Sequence, residues 1–284
     1  MVVTLSNSEF LVKVNSKGAE LVSMQNKVTN REYIWDGNPD FWGKHSPVLF
    51  PIVGTLKDNC YFYENQKYEL SRHGFARDLY FEVLSKSENQ VTYSLKASEE
   101  TKTKFPFEFE LQICYQLIDF KLTIKYKIIN LSVTKMPFSI GAHPAFALPE
   151  NFENYTLAFE KQESLDCFVL ENDLISYSYP IILNDKKIPL DYSIFEKDAL
   201  IFKKLDSKKI TILENNKPLL SLDFDDFKNL GIWTKTNAKF ICIEPWLGYS
   251  DVINATQNIF EKEAIQVLDP KKSFDCQFSI KIEN

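Results

Sequence analysis

Apolar and polar residues alternate one for one along much of this chain. Phe107, Phe109, Leu111, Ile113, Tyr115 and Leu117 are interleaved with Glu108, Glu110, Gln112, Cys114 and Gln116. That is the period of a strand with one buried face. Leu122, Ile124, Tyr126 and Ile128 repeat the pattern against Lys121, Thr123, Lys125 and Lys127. Only Ile118-Asp119-Phe120 separates the two runs, which predicts a hairpin. Val91–Leu95 reads as the strand before it. Shorter strands are expected at Leu11–Val14, Tyr68–Leu70, Ala199–Phe202, Lys209–Leu213 and Leu219–Leu222, with a closing strand over Phe274–Ile282. No long segment has a helical period. Short strands with turns between them indicate a sandwich or barrel. No Pro/Gly/Ser linker, repeat or low-complexity tract divides the chain. The expectation is an all-β protein, a large antiparallel β-sandwich, with one domain spanning residues 1–284.

Three runs break the alternation. They are Ser46 to Gly54, Phe138 to Phe146 and Phe240 to Gly248, and each carries Pro and Gly inside an apolar stretch. Central strands avoid proline, and departures from local rules concentrate at functional sites. In the second run His143 precedes Pro144, which biases His143 to an extended backbone. An imidazole set this way is a candidate general acid or base, although a lone histidine also serves as a satisfied core residue. In the third, Phe240–Ile243 is wholly apolar and reads as a strand buried on both faces. It ends in Glu244, capped by Pro245 and Trp246. A desolvated carboxyl there is pushed up in pKa unless donors compensate, which makes Glu244 a candidate acid or base, or else one half of a structural ion pair.

A further cluster lies at Arg72-His73-Gly74-Phe75-Ala76-Arg77. The chain has three histidines and three arginines, and this segment holds one of the former and two of the latter. Arg offers a planar fork of donors that Lys does not; the plain alternative is a surface turn. Trp42, Phe50, Phe75, Phe146, Trp233 and Trp246 stand near these groups in sequence. A pocket with aromatics and convergent His, Arg and carboxylate groups suits a sugar, while core packing accounts for most of the aromatics.

The net charge of −6 argues against nucleic-acid binding, which calls for a basic face. The N-terminus shows no basic segment followed by an apolar run, so no signal peptide is expected. No apolar stretch approaches the roughly 20 residues of a membrane helix. Five scattered cysteines without a CxxC pair read as reduced thiols, and Cys114 and Cys242 as core residues. A cytoplasmic location is the expectation.

His73-Gly74-Phe75-Ala76-Arg77, His143-Pro144-Ala145-Phe146 and Glu244-Pro245-Trp246, with Leu49-Phe50-Pro51-Ile52-Val53-Gly54 before them, occur in that order. From about Trp35 onward the set resembles the aldose 1-epimerase (galactose mutarotase-like) family, and its compact bacterial branch in particular. The resemblance implies a β-sandwich with an open sugar cleft and interconversion of the anomers of an aldohexose or hexose phosphate. It implies Glu244 as the base on the anomeric hydroxyl and His143 as the acid on the ring oxygen. By the same resemblance His73, Arg77 and Asp198 bind the substrate. The roles require an ionised Glu244 and a protonated His143 across the sugar, and no cofactor or metal. One departure is Thr55, where relatives commonly have arginine after the glycine; Lys57 follows two residues on. Thr55 keeps open an alternative, a sugar-binding or sensing module without catalysis. Lys57 and Arg72 are candidates to meet a phosphate. A zinc site from His73, His143 and Glu244 is a further rival, lacking any HExxH spacing.

Overall fold

The computed structural model describes residues 1–283. Two large antiparallel sheets dominate. The first has nine strands, in the order Lys187–Pro189, Tyr155–Phe159, Lys209–Glu214, Lys217–Asp223, Ser273–Ile282, Lys121–Asn130, Phe109–Ile118, Gln90–Lys96 and Glu82–Lys86. The alternating runs form its centre. Phe109–Ile118 and Lys121–Asn130 pair as a hairpin, turning at Asp119 with φ of 47°. Leu111, Ile113, Tyr115 and Leu117 are buried while Glu110, Gln112 and Gln116 are half-exposed. The final strand, Ser273–Ile282, is internal to this sheet, hydrogen-bonded to Lys121–Asn130 on one side and Lys217–Asp223 on the other.

The second sheet runs Leu174–Ile182, Ser164–Glu171, Leu200–Phe202, Asn229–Trp233, Phe240–Leu247, Ile140–Ala142 and Val48–Leu49; Ala145–Ala147 also pairs with Phe240–Leu247. Residues of both sheets share one hydrophobic cluster, the packing of a β-sandwich. A three-stranded sheet of Val2–Ser6, Phe10–Asn15 and Glu20–Asn26 adds to it. The middle strand of these three is the one legible as alternation: Val2–Ser6 carries an exposed Val2 beside buried Val3 and Leu5, and Glu20–Asn26 pairs across a register shift at Lys13/Val14 that breaks its period. Among the described residues the one α-helix is Glu99–Lys102, and no helix is long and apolar enough to cross a membrane.

The strand Phe240–Leu247 is buried at every position, as its apolar run suggests, but it does not end at Glu244. It continues through Pro245 and Trp246 to Leu247. Ile243 donates its N–H to the carbonyl of Pro144, and with a period of two the nitrogen of Pro245 faces the same neighbour. The shared register sets Pro245 opposite Ala142, the last residue before the interruption between Ile140–Ala142 and Ala145–Ala147, and the proline supplies no N–H to the ladder there.

Odd-numbered side chains of this strand, Ile241, Ile243 and Leu247, enter the common core. Even-numbered ones point to the opposite face of the sheet. Phe240 and Cys242 there join a cluster with Trp35 and Ala145, and Trp246 joins another with Leu49, Val53, Ile201 and Tyr249. Glu244 lies between the two. The Trp246 ring lies flat against the sheet because its neighbours have no side chains: a Cβ on Gly231 would fall 2.3 Å from the ring, and one on Gly141 2.7 Å. Replacing Gly231 by Ala therefore lifts Trp246 off the sheet. The expected loss is about 1–3 kcal/mol of stability, read from the urea midpoint; an unchanged midpoint contradicts this packing.

Candidate active site

Strand register builds the centre of the site. Gly141 pairs with Trp246 and Ala145 with Cys242. Both segments keep one register across the interruption, and continuing it sets His143 opposite Glu244. Directly opposed residues on one face of an antiparallel pair are in side-chain contact. His143 Nε2 lies 3.1 Å from Glu244 Oε2, both side chains being buried. On its other flank Glu244 is opposite Gly231, over which the Trp246 ring lies.

A cavity of about 410 Å³ opens over this pair, within the size range of small-ligand sites. His143, Glu244, His73, Arg77 and Asp198 all line it, so the five residues picked out by resemblance are brought together. Trp42, Trp233 and Trp246 border it as well, with Leu170, Ala199 and Ile201 as an apolar wall. Phe50, Phe75 and Phe146 do not; they are buried in the main core.

His73 sits in the left-handed backbone region, φ 68°, in a turn clamped to Gly54 in both directions. Its N–H donates to the Gly54 carbonyl at 2.8 Å, and the Gly54 N–H donates to its Nδ1 at 3.1 Å. A neutral imidazole has one acceptor nitrogen, so Nε2 carries the proton. The approach of Arg72 Nε to Nε2 at 3.3 Å is then a contact between two donors. Burial, followed by the charges of His143, Arg72 and Arg77, holds His73 well below the ordinary histidine value. Arg77 donates to the Arg72 carbonyl at 2.8 Å, while its buried Nε has no hydrogen-bond partner. Asp198, also left-handed at φ 80°, accepts from the Ala199 N–H at 2.8 Å.

Electrostatics depart from the expected carboxylate–imidazolium pair. Burial pushes the Glu244 carboxyl well above the ordinary range, against the opposing pull of Arg72. It takes His143 down to about 3, with the charges of Arg77 and Arg72 adding to the effect. Desolvation penalises both charged forms. Burial thus favours the neutral pair, with the proton on the Glu244 carboxyl, 3.1 Å from the imidazole nitrogen. Glu244 Oε2, Trp246 Nε1 and His143 Nδ1 are buried polar atoms with no hydrogen-bond partner, three at one site.

The two candidates to meet a phosphate lie in different places. Arg72 borders the cavity and donates to Asp173 at 2.9 Å, on the hairpin joining Ser164–Glu171 to Leu174–Ile182. Lys57 is not at the cavity; its Nζ is 3.5 Å from the Ala255 carbonyl. Thr55 is buried outside the cavity lining, and its N–H donates to Ser250 Oγ at 3.0 Å. The residues whose ligand atoms cluster are His143, Cys242 and Glu244, within 4.8 Å of one another, and His73 is not among them. Burial keeps protons on both the Cys242 thiol and the Glu244 carboxyl, and the imidazole already meets the carboxyl. In this trio the imidazole and the carboxyl are in contact beside a buried thiol.

The fold and this constellation place the chain among known proteins. It belongs to the aldose 1-epimerase family, whose pattern it matches over residues 1–274. It is 34% identical to a Lactococcus lactis subsp. lactis protein named "Protein LacX, plasmid", over 97% of this chain and 98% of that one. It resembles the X-ray structure of a galactose mutarotase related enzyme from Lactobacillus acidophilus, with TM-score 0.95, 32% identity, and 100% and 98% of the two chains covered. A galactose mutarotase-like protein from Lactobacillus casei superposes with TM-score 0.94 at 30% identity, over the full length of both chains.

The one-proton pair has a signature in stability. Unfolded, the carboxyl titrates near 4.5 and the imidazole near 6.5; folded, His143 is depressed to about 3 and Glu244 is raised. The depressed histidine loses stability as pH falls below 6.5, and the raised carboxyl loses it as pH rises above 4.5. Between those values folded and unfolded states each hold one proton and the slopes cancel. Urea midpoints of the protein, minus those of the Glu244→Gln/His143→Gln double variant, are expected to be flat from pH 4.5 to 6.5 and to decline on both sides. A steady slope through that window contradicts the shared proton.

Proposed function

We propose that the protein is an aldose 1-epimerase interconverting the α and β anomers of an aldohexose or hexose phosphate. The observation that carries the reading is the His143–Glu244 contact at the floor of a sugar-sized cavity. The anomeric hydroxyl and ring oxygen of a pyranose are bound to one carbon, so an acid and a base that touch each other can reach both.

In the reactive form the proton has crossed from Glu244 to His143. The Glu244 carboxylate takes the proton of the C1 hydroxyl while the imidazolium gives its proton to the ring oxygen. The C1–ring oxygen bond breaks and a carbonyl forms at C1. Glu244 is then protonated and His143 neutral, the form that burial favours. Rotation about C1–C2 presents the other carbonyl face, and the reverse transfers close the ring with the proton inventory restored. His73, through its Nε2–H, Arg77 and Asp198 are assigned to the sugar hydroxyls. A phosphate, where the substrate has one, meets Arg72 and Arg77, because Lys57 is remote. Neither metal nor redox cofactor enters this sequence of transfers.

The alternative is a sugar-binding module on the same fold. Thr55 no longer favours it strongly, since that side chain does not border the cavity and two guanidinium groups do. Polarimetry or exchange NMR on a panel of free hexoses and hexose 6-phosphates decides between them. Accelerated anomer exchange is expected with at least one sugar. Glu244→Gln and His143→Gln are each expected to lower kcat by roughly 10²–10⁴-fold with binding retained. Binding without any acceleration in the unaltered protein selects the module, and full activity in Glu244→Gln removes the assignment.

A further inference from the structure

His143 lacks the support that usually orients a working imidazole. Such rings are commonly held by an acceptor at the nitrogen that does not face the reaction. Here Nε2 faces Glu244, and Nδ1 lies buried near the residue's own carbonyl without making a hydrogen bond. What holds the ring is aromatic. The Trp42 indole stacks on it with centroids 4.7 Å apart and planes at 26°. Trp233 and His73 meet it edge-on at 6.0 and 5.9 Å.

We propose that Trp42 is a positioning residue for the reaction, its indole face fixing the His143 ring and carrying part of its charge whenever that ring is protonated. The inference rests on the acid–base reading of the pair, in which His143 becomes an imidazolium once in each cycle. A cation over an indole face is stabilised by the ring quadrupole, most strongly where water is excluded. Other nearby groups are poor alternatives. Arg72 and Arg77 repel a charge on His143, His73 is neutral, the Cys242 thiol is protonated, and Glu244 is the proton's partner in the exchange.

Trp42 is held firmly enough for this role. Its N–H donates to the Asn38 carbonyl and its carbonyl accepts from Trp35 Nε1, both at 2.9 Å. Lys235 Nζ donates to the preceding carbonyl, that of Phe41, at 3.2 Å. The indole also stacks on Phe240 at 5.8 Å and meets Trp233 edge-on at 5.7 Å. It is only half-buried, so exchanging it disturbs the main core little.

The test compares Trp42→Leu, which keeps an apolar cover without a π face, with Trp42→Phe, which keeps a weaker one. For Leu, kcat is expected to fall roughly 2- to 30-fold with KM little changed, and the acidic limb of the kcat profile to move to lower pH. Phe is expected to fall between Leu and Trp on both measures. In parallel, the His143 ring-proton NMR signals, free of any sugar, are expected to lose an upfield ring-current shift in Leu and to titrate at lower pH. That arm needs no turnover, so it decides the stacking even if the protein is no epimerase. Unchanged kcat and titration in Leu overturn the proposal. So does an acidic limb that moves to higher pH, which assigns Trp42 to water exclusion alone, or equal losses in Leu and Phe.

Discussion

The site depends on one register. Two short strands on either side of an interruption keep the same alignment with Phe240–Leu247, and that alignment sets an imidazole against a carboxyl. A slip of one residue in a ladder transfers every side chain to the other face, so this register is what keeps His143 and Glu244 together. Pro144 lies within the interruption, opposite Ile243, and Pro245 faces its edge at Ala142.

Burial then decides the chemistry. The sheet face around Glu244 is apolar on both sides, with the Trp35 cluster on one flank and the Trp246 cluster on the other. A desolvated carboxyl and a desolvated imidazole each resist charge, and touching one another they become a unit that holds one proton. A hemiacetal needs a proton removed at one oxygen and supplied at the other on the same carbon, which such a unit can do without changing its net charge. The charged form is the one that needs support. Arg72 pulls toward an ionised Glu244, and the indole stacked on His143 is suited to the imidazolium.

Much of this was legible in the chain, for identifiable reasons. Alternation is a strong signal where one face is wet, so the hairpin of Phe109–Ile118 and Lys121–Asn130 was plain. Strands such as Asn229–Trp233, buried at nearly every position and carrying a glycine, give no alternation to read. His143 and Glu244 stood out because each breaks a local rule beside a proline. Their contact, and the continuity of the strand past Glu244, were hidden because register is a property of two segments about a hundred residues apart. The pull of burial toward a neutral pair was hidden as well, because desolvation is set by neighbours from several elements. Composition could not separate Trp42 and Trp233, which border the cavity, from Phe50 and Phe146, which fill the core. Nor could it show that Thr55 is turned into the protein while Arg72 stands at the cavity.

The claim that most needs testing is that both members of the pair address the same end of one sugar. A crystal structure with a bound aldopyranose measures this directly. The ring oxygen and the anomeric oxygen are both expected within hydrogen-bond reach of the His143 Nε2 and Glu244 carboxyl atoms. A sugar seated in the cavity with its anomeric carbon turned toward Asp173 and the solvent contradicts it.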